Sequence, residues 1–282
     1  MTDTVSDLAG AGVAFVTDDA EHASFVARKR RLAWRKRLLP LIAFVAIVLL
    51  WEMAVHVFSI KSFIAPAPSA VVVILYEKFG ILMQNLWPTV VEAITGFAIG
   101  NLAAILLATT FVHRPTAEDA FFPIAVMFNT IPTVAKAPIL VLILGNGLQP
   151  KIAIAAIICF FPTLVNMTRG LKDVNPQQLE LMHVLSASQR EIFQKVRFKN
   201  ALPYLFSALK ISASTAVVGA IIGEWVGATT GIGALIIQAT YNFDTPLLYA
   251  TIVVGSVFSA SFFGVITMLE GHFLKWNVER AR

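Results

Sequence analysis

The sequence predicts an all-α polytopic membrane protein, with about six transmembrane helices and a helical hairpin on the cytoplasmic side between the fourth and fifth. Three observations carry this. Hydrophobic residues make up 57% of the 282 and charged residues only 14%, whereas soluble domains carry roughly 25% charged residues. The apolar residues gather in runs close to the ~20 needed to cross a bilayer. The basic residues gather between those runs, and on one side of the membrane.

This length has room for the spans and a tail but not for a second globular domain. We divide the chain into an N-terminal cytoplasmic tail, residues 1–37, basic near the membrane, and a transmembrane domain, residues 38–282. Asp3, Asp7, Asp18, Asp19 and Glu21 lie ahead of any apolar core. That pattern does not fit a secretory signal peptide, and residues 1 to about 26 read as a mobile tail.

The apolar runs place spans at Leu38–Val57, Thr89–Val112, Phe121–Leu144, Ile152–Thr168, Leu205–Val226 and Leu247–Glu270. Arg28, Lys29, Arg30, Arg31, Arg35, Lys36 and Arg37 precede the first. Arg169, Lys172, Arg190, Lys195, Arg197 and Lys199 follow the fourth. By the positive-inside bias both segments are cytoplasmic, and an even number of spans returns Lys275, Arg280 and Arg282 to the same side. Residues 227–246 hold no Lys or Arg and residues 58–88 only Lys61 and Lys78, as expected outside. Trp34 and Trp276 fall near the inner interface, Trp87 and Trp225 near the outer. The net charge of +5 is therefore a topology signal, and no nucleic-acid partner is expected.

In the second span Gly96 and Gly100 form a GxxxG, which lets another helix approach closely, within this fold or its dimer. The pattern also arises by chance. The lone Cys159 allows neither an intrachain disulfide nor a cysteine metal cage.

Between the fourth and fifth spans, about residues 170–204, Asn175-Pro176 is a helix start, with Asn as cap and Pro where no donor is needed. The helix runs to about Leu185. Leu179, Leu181, Met182, Val184 and Leu185 are its apolar side, and Glu180 with His183 forms a narrow polar stripe. A break falls at Ser186-Ala187, and Ser188-Gln-Arg-Glu191 is a capping box that starts a second helix bearing Ile192, Phe193 and Val196. Such a hairpin can dock on a partner or lie on lipid.

Ionisable residues inside spans need an account. Lys210 is near enough to the inner end to snorkel, and Glu92, about one turn from the outer end, to reach water. Lys136, between Pro132 and Pro138, and Glu224 are candidates for a pathway or gate. The alternative is structural: Glu224 interfacial, with Lys136 paired to it or to backbone carbonyls.

Glu180-Leu-Met182, Ser186 and Leu202-Pro203 resemble the cytoplasmic loop of ABC importer permeases, whose pattern is Glu-Ala-Ala, three residues, Gly and a later Leu-Pro. Ser186 stands at the family's Gly, a position suited to a left-handed helix end. Further segments resemble the nitrate/sulfonate/taurine branch. They are Trp51-Glu52, Phe63-Ile-Ala-Pro-Ala-Pro-Ser-Ala70, Asn129-Thr-Ile-Pro-Thr-Val-Ala-Lys-Ala-Pro138 with Gly145, Phe160-Phe-Pro162, Gly223-Glu-Trp225, Gly231-Ile-Gly233 and Asn242-Phe-Asp-Thr245.

The resemblance implies a type I importer permease fold. It assigns Glu180, Leu181, Met182, His183, Val184, Leu185 and Ser186 to coupling with a cytoplasmic ATPase dimer. It also implies a second permease copy, a periplasmic or surface-anchored solute-binding protein, and residence in the cytoplasmic (inner) membrane of a prokaryote. No cofactor or metal is expected in this chain, and ATP and Mg belong to the ATPase. The residues agree, since there is no G-x-x-x-x-G-K-[ST] phosphate loop, no metal-spaced cluster and no catalytic residue set. The cargo would be small and anionic, which Lys136 favours, or aromatic/heterocyclic. An ion-coupled secondary transporter is the alternative, but it would more naturally show inverted repeats and charge relays.

Overall fold

The computed structural model describes residues 18–274, and of residues 18–34, 36 and 37 the backbone alone. Lys275, Trp276, Arg280 and Arg282 lie outside the described residues, as do residues 1–17 of the expected tail. Two compact units are present, residues 1–60 and 61–282. No strand forms among the described residues.

The first unit is built on α1 (Asp18–Val57). Its helix already includes residues 18–26, which the sequence reading assigned to a mobile tail. From Leu38 to Leu50 the apolar side chains are almost all exposed around the helix, as Leu39 at 54%, Ile42 at 59% and Phe44 at 65% illustrate. A helix apolar on every side is suited to lipid.

The second unit contains α2 (Pro68–Glu77), α3 (Phe79–His113), α4 (Pro115–Thr130), α5 (Thr133–Leu144), α6 (Gln149–Lys172), α7 (Pro176–Val184), α8 (Gln189–Ile192), α9 (Phe198–Glu224), α10 (Ile232–Tyr241) and α11 (Thr245–Phe273). A π-helical segment, Phe193–Arg197, joins α8 to α9. Five helices among the described residues are long and apolar enough to cross a membrane, and α4 with α5 makes a sixth if the bent pair is one span.

That bend corrects the third expected span. Instead of one helix over Phe121–Leu144, α4 and α5 meet at 101°. Pro132 disfavours a helical conformation at the residue before it and offers no N–H to continue the ladder. Ile131 accordingly is extended, at φ −67 and ψ 126. The fifth span is corrected in the opposite sense. The hairpin's second helix does not end before it, because α8, the π segment and α9 run on as one helical stretch, Gln189–Glu224.

The core of the second unit is α6 held between α3 and α9. Bilayer lipid removes most of the hydrophobic drive between helices, so close contact rests on small residues. Gly96 and Gly100 are buried against α6: a Cβ at Gly96 would lie 2.5 Å from the Ala155 Cβ, and one at Gly100 would strike the Ala156 carbonyl. On the other flank Gly219 and Gly223 bring α9 onto the backbone of Ala155 and Lys151. The GxxxG of α3 thus packs within the chain.

Midway, a polar staple crosses all three helices. Thr163 Oγ1 donates to Asn101 Oδ1 at 2.5 Å and lies 3.2 Å from Ser212 Oγ. Apolar clusters flank it, with Phe111, Leu164, Met167 and Leu171 toward the hairpin end. Toward the other end lie Val71, Leu82, Ile232, Leu235 and Val254, where the short α2 and α10 close the bundle.

Candidate functional site

Three places carry chemistry. The first is the hairpin. Asn175 Oδ1 accepts from the Gln177 amide at 2.9 Å and Pro176 opens α7. At its end the Ser186 and Ala187 amides return to the carbonyls of His183 and Met182, both at 2.9 Å. Ser186 has φ 53, the left-handed geometry expected there. The capping box is also formed, with the Glu191 amide donating to Ser188 Oγ at 3.3 Å and the Ser188 amide to Glu191 Oε2 at 3.0 Å.

Leu181, Val184 and Leu185 are 59%, 80% and 66% exposed, so this part of the apolar side of α7 is uncovered among the described residues. Met182 is half-buried, while Glu180 and His183 are exposed. Glu180 has no hydrogen-bond or ion-pair partner among the described residues.

The base of the hairpin is fixed by residues the sequence reading did not single out. Arg197 Nη1 donates to the Leu171 carbonyl at 3.0 Å, and Asn200 Nδ2 to the carbonyls of Gly170 at 3.1 Å and Asp173 at 2.5 Å. The Tyr204 hydroxyl donates to the Asp173 carboxylate. Helix C-termini leave carbonyls without intrahelical partners, and here α9 supplies the donors for α6. Lys172, in the last turn of α6, pairs with Glu118 in the first turn of α4 at 2.5 Å.

The second place is a buried polar cluster at the opposite end of α6. Glu224, 1% exposed, accepts from Thr89 Oγ1 at 2.6 Å and from the Gly233 amide at 2.5 Å. Thr89 Oγ1 in turn accepts from the Ile232 amide at 2.9 Å, and Asn85 Oδ1 from the Gly231 amide at 3.0 Å. The free amides that open α10 are thus capped by side chains of α3 and α9. Gly231, at φ 123, and Gly233 are required here, because a Cβ on either would run into Glu224.

Glu92, fully buried, pairs with Lys151 at 3.3 Å. The sequence reading had Glu92 reaching water, and that is corrected. Because α3 begins at Phe79, Glu92 lies several turns inside the helix and faces α6. Lys210, near enough to the inner end to snorkel, pairs with Glu270 at 2.8 Å. Glu224 is buried within the bundle and is not joined to Lys136. Its hydrogen bonds go to α3 and to the start of α10.

The third place is an open cavity of about 690 Å³ lined by α3, α4, α5 and α6. Phe121, Phe128, Phe160 and Phe161 line it, with Asn129 and the half-buried Lys136 as its polar groups. Lys136 makes no hydrogen bond or ion pair among the described residues. A second cavity, about 490 Å³, lies among α9, α10 and α11 and is lined by apolar side chains and serines such as Ser214, Ser256 and Ser259.

Among the described residues no group of three or more His, Cys, Asp and Glu side chains is arranged to hold a metal. Comparison with known proteins gives one pattern. The family described as binding-protein-dependent transport system inner membrane component matches residues 100–275. A formylaminopyrimidine transport permease protein of Halalkalibacterium halodurans is 31% identical over 239 residues, covering 84% of this chain and 95% of that protein. A riboflavin transport system permease protein of Chloroflexus aurantiacus is 28% identical over 250 residues, covering 88% and 93%. Among solved structures, an inward-facing MetNI methionine ABC transporter superposes with a TM-score of 0.56 at 22% identity, over 70% of this chain and 95% of that one, a likeness of fold.

Proposed function

We propose, from the premise that the chain belongs to the binding-protein-dependent transport system inner membrane components, that this permease of an ATP-binding-cassette importer moves a small anionic or aromatic/heterocyclic solute across the cytoplasmic membrane of a prokaryote. Family membership decides against the ion-coupled secondary transporter. The relatives named for formylaminopyrimidine and riboflavin transport support a heterocyclic cargo, and the unpaired Lys136 supports an anionic one.

The observation that carries the coupling role is the uncovered apolar side of α7 on a fixed base. Leu181, Val184 and Leu185 form a patch that fits a groove on a cytoplasmic ATPase, with Glu180 beside it to set orientation. ATP and Mg would be held by that ATPase dimer. A second copy of this chain would complete the pore, and a solute-binding protein would load it from outside. Because Arg197 and Asn200 tie α9 to the end of α6, a push on α7 passes into both helices, and Lys172 passes it on to α4 through Glu118. Rigid-body displacement of this kind switches access from one side to the other.

In this reading both termini and residues 170–204 are cytoplasmic, and residues 227–246 face outside. The test is co-purification of the ATPase and solute uptake for Glu180→Lys and Leu181→Asp complexes. Loss of ATPase or of coupling supports the assignment, and normal uptake by both variants overturns it.

A further inference from the structure

We propose that the cavity among α3, α4, α5 and α6 is an organic-anion site of the transport pathway, in which the Lys136 ammonium meets the anionic group and the phenylalanine rings hold a flat apolar body. This rests on the importer reading and deepens it. Its volume, about 690 Å³, lies within the ~300–1,000 Å³ usual for small-molecule sites.

An ammonium amid apolar walls is costly unless something answers it, and Lys136 has no carboxylate partner among the described residues. The other basic side chains inside this bundle are provided for: Lys151 by Glu92 and Lys210 by Glu270. Lys136 alone of these three is left for a ligand.

The break at Ile131-Pro132 puts it there. In an unbroken helix Asn129 and Lys136, seven residues apart, would share one face at about two turns' spacing. With the 101° bend, both line one open cleft against α3 and α6. Asn129 brings an amide that can donate to the same anion.

The walls select the body. Phe121 and Phe128 come from α4, Phe160 and Phe161 from α6, so aromatic surface faces the space from two helices and suits stacking on a flat ring. A carboxylate or sulfonate joined to an aromatic ring satisfies both features. The 490 Å³ cavity offers no charged side chain and would not hold an anion.

An acidic lipid has the same chemistry, an anionic head on an apolar body, and the experiment separates it from a solute. Cys159 is buried and the sole cysteine, so a second thiol reports alone. Ala103, exposed and lining the cavity, is replaced in Ala103→Cys. The complete permease–ATPase complex is then labelled with sulfonatoethyl and trimethylammonioethyl methanethiosulfonate, in nanodiscs of phosphatidylcholine alone and of phosphatidylcholine mixed with phosphatidylglycerol.

The expected result is faster labelling by the sulfonate reagent, by about ten-fold, the lower end of electrostatic focusing in a low-dielectric cleft. Lys136→Gln should bring the two rates together and Lys136→Arg should keep them apart. Benzenesulfonate should slow labelling more than methanesulfonate at the same concentration. Equal rates with Lys136 intact, a preference that survives Lys136→Gln, or no labelling by either reagent, as when a second permease copy covers the space, would overturn the proposal.

Loss of the preference on adding phosphatidylglycerol assigns the site to lipid and overturns the solute reading. Equal protection by methanesulfonate removes the aromatic part. If Ala103→Cys does not assemble, Asn129→Cys supplies the thiol. Failure here leaves the importer reading standing as long as the complex still couples ATP hydrolysis to uptake.

Discussion

Thr89 Oγ1 donates to Glu224 Oε1 at 2.6 Å and accepts from the Ile232 amide at 2.9 Å. One hydroxyl therefore joins α3, α9 and the start of α10. Thr89→Val keeps the shape and removes both bonds, leaving a carboxylate and an amide short of partners. A loss of about 1–3 kcal/mol is expected for such buried groups, with faster amide exchange over residues 231–241 in a hydrogen-exchange measurement. Unchanged exchange there would show that α10 is held by apolar packing alone.

Lys151 pairs with the fully buried Glu92 at 3.3 Å. Lys151→Met leaves that carboxyl without its cation, at a cost of about 3–5 kcal/mol, as for breaking a buried pair. Lys151→Met with Glu92→Gln should recover part of this. Denaturation midpoints of the purified complexes would decide it, and a double variant no better than the single would count against the pairing.

Gly96 and Gly100 of α3 should tolerate alanine poorly. At Gly100 the added methyl meets the Ala156 backbone, while at Gly264 nothing lies within 4 Å. Gly100→Ala is therefore expected to lower the midpoint by an amount typical of overpacking, about 1–3 kcal/mol, with Gly264→Ala close to neutral. Equal effects at the two positions would contradict the close α3–α6 contact.

Ser186→Gly should be neutral or stabilising by roughly 0.5–1 kcal/mol, because φ 53 suits a residue without a Cβ. Uptake should persist. Abolished coupling in this variant would mean that the hydroxyl itself is read by the ATPase.

The Lys172–Glu118 pair is partly exposed, at 49% and 20%, so its worth to stability is small, about 0.2–1 kcal/mol. Its expected effect is on coupling. Glu118→Lys should lower uptake per ATP hydrolysed, and the swap Glu118→Lys with Lys172→Glu should restore it. Transport unaffected by the single change would exclude this pair from the path into α4.

The apolar runs were legible because span length and charge placement are local properties of a sequence. The α7 cap at Asn175, the left-handed Ser186 and the Ser188 capping box were legible for the same reason, since each is decided within a few residues. What escaped was set by distant partners. Glu92 could be read as reaching water only because nothing near it in sequence reveals that α3 starts at Phe79 and turns this residue toward Lys151. Pro132 stood in plain view within the expected Phe121–Leu144 span, but the 101° angle depends on how α4 and α5 pack. Arg197 counted only as a charge that fixes topology, and the roles of Arg197, Asn200 and Tyr204 appear only when α9 lies beside the end of α6.

The polar staple of Asn101, Thr163 and Ser212 also bears on biosynthesis. Asn101 precedes Thr163 by 62 residues, so at ~5–20 residues per second the ribosome delivers the partner about 3–12 s later. Ser212 follows later still. Over that interval the nascent second span holds the Asn101 side-chain carbonyl without a partner, its Nδ2 donating to the Phe97 carbonyl of the same helix at 2.7 Å, and that open carbonyl marks the bundle as incomplete. A chain interrupted before the fifth span would keep that mark only in part, and one interrupted before the fourth would keep all of it. The staple thus ties the satisfaction of a polar group in the second span to the arrival of the fourth and fifth.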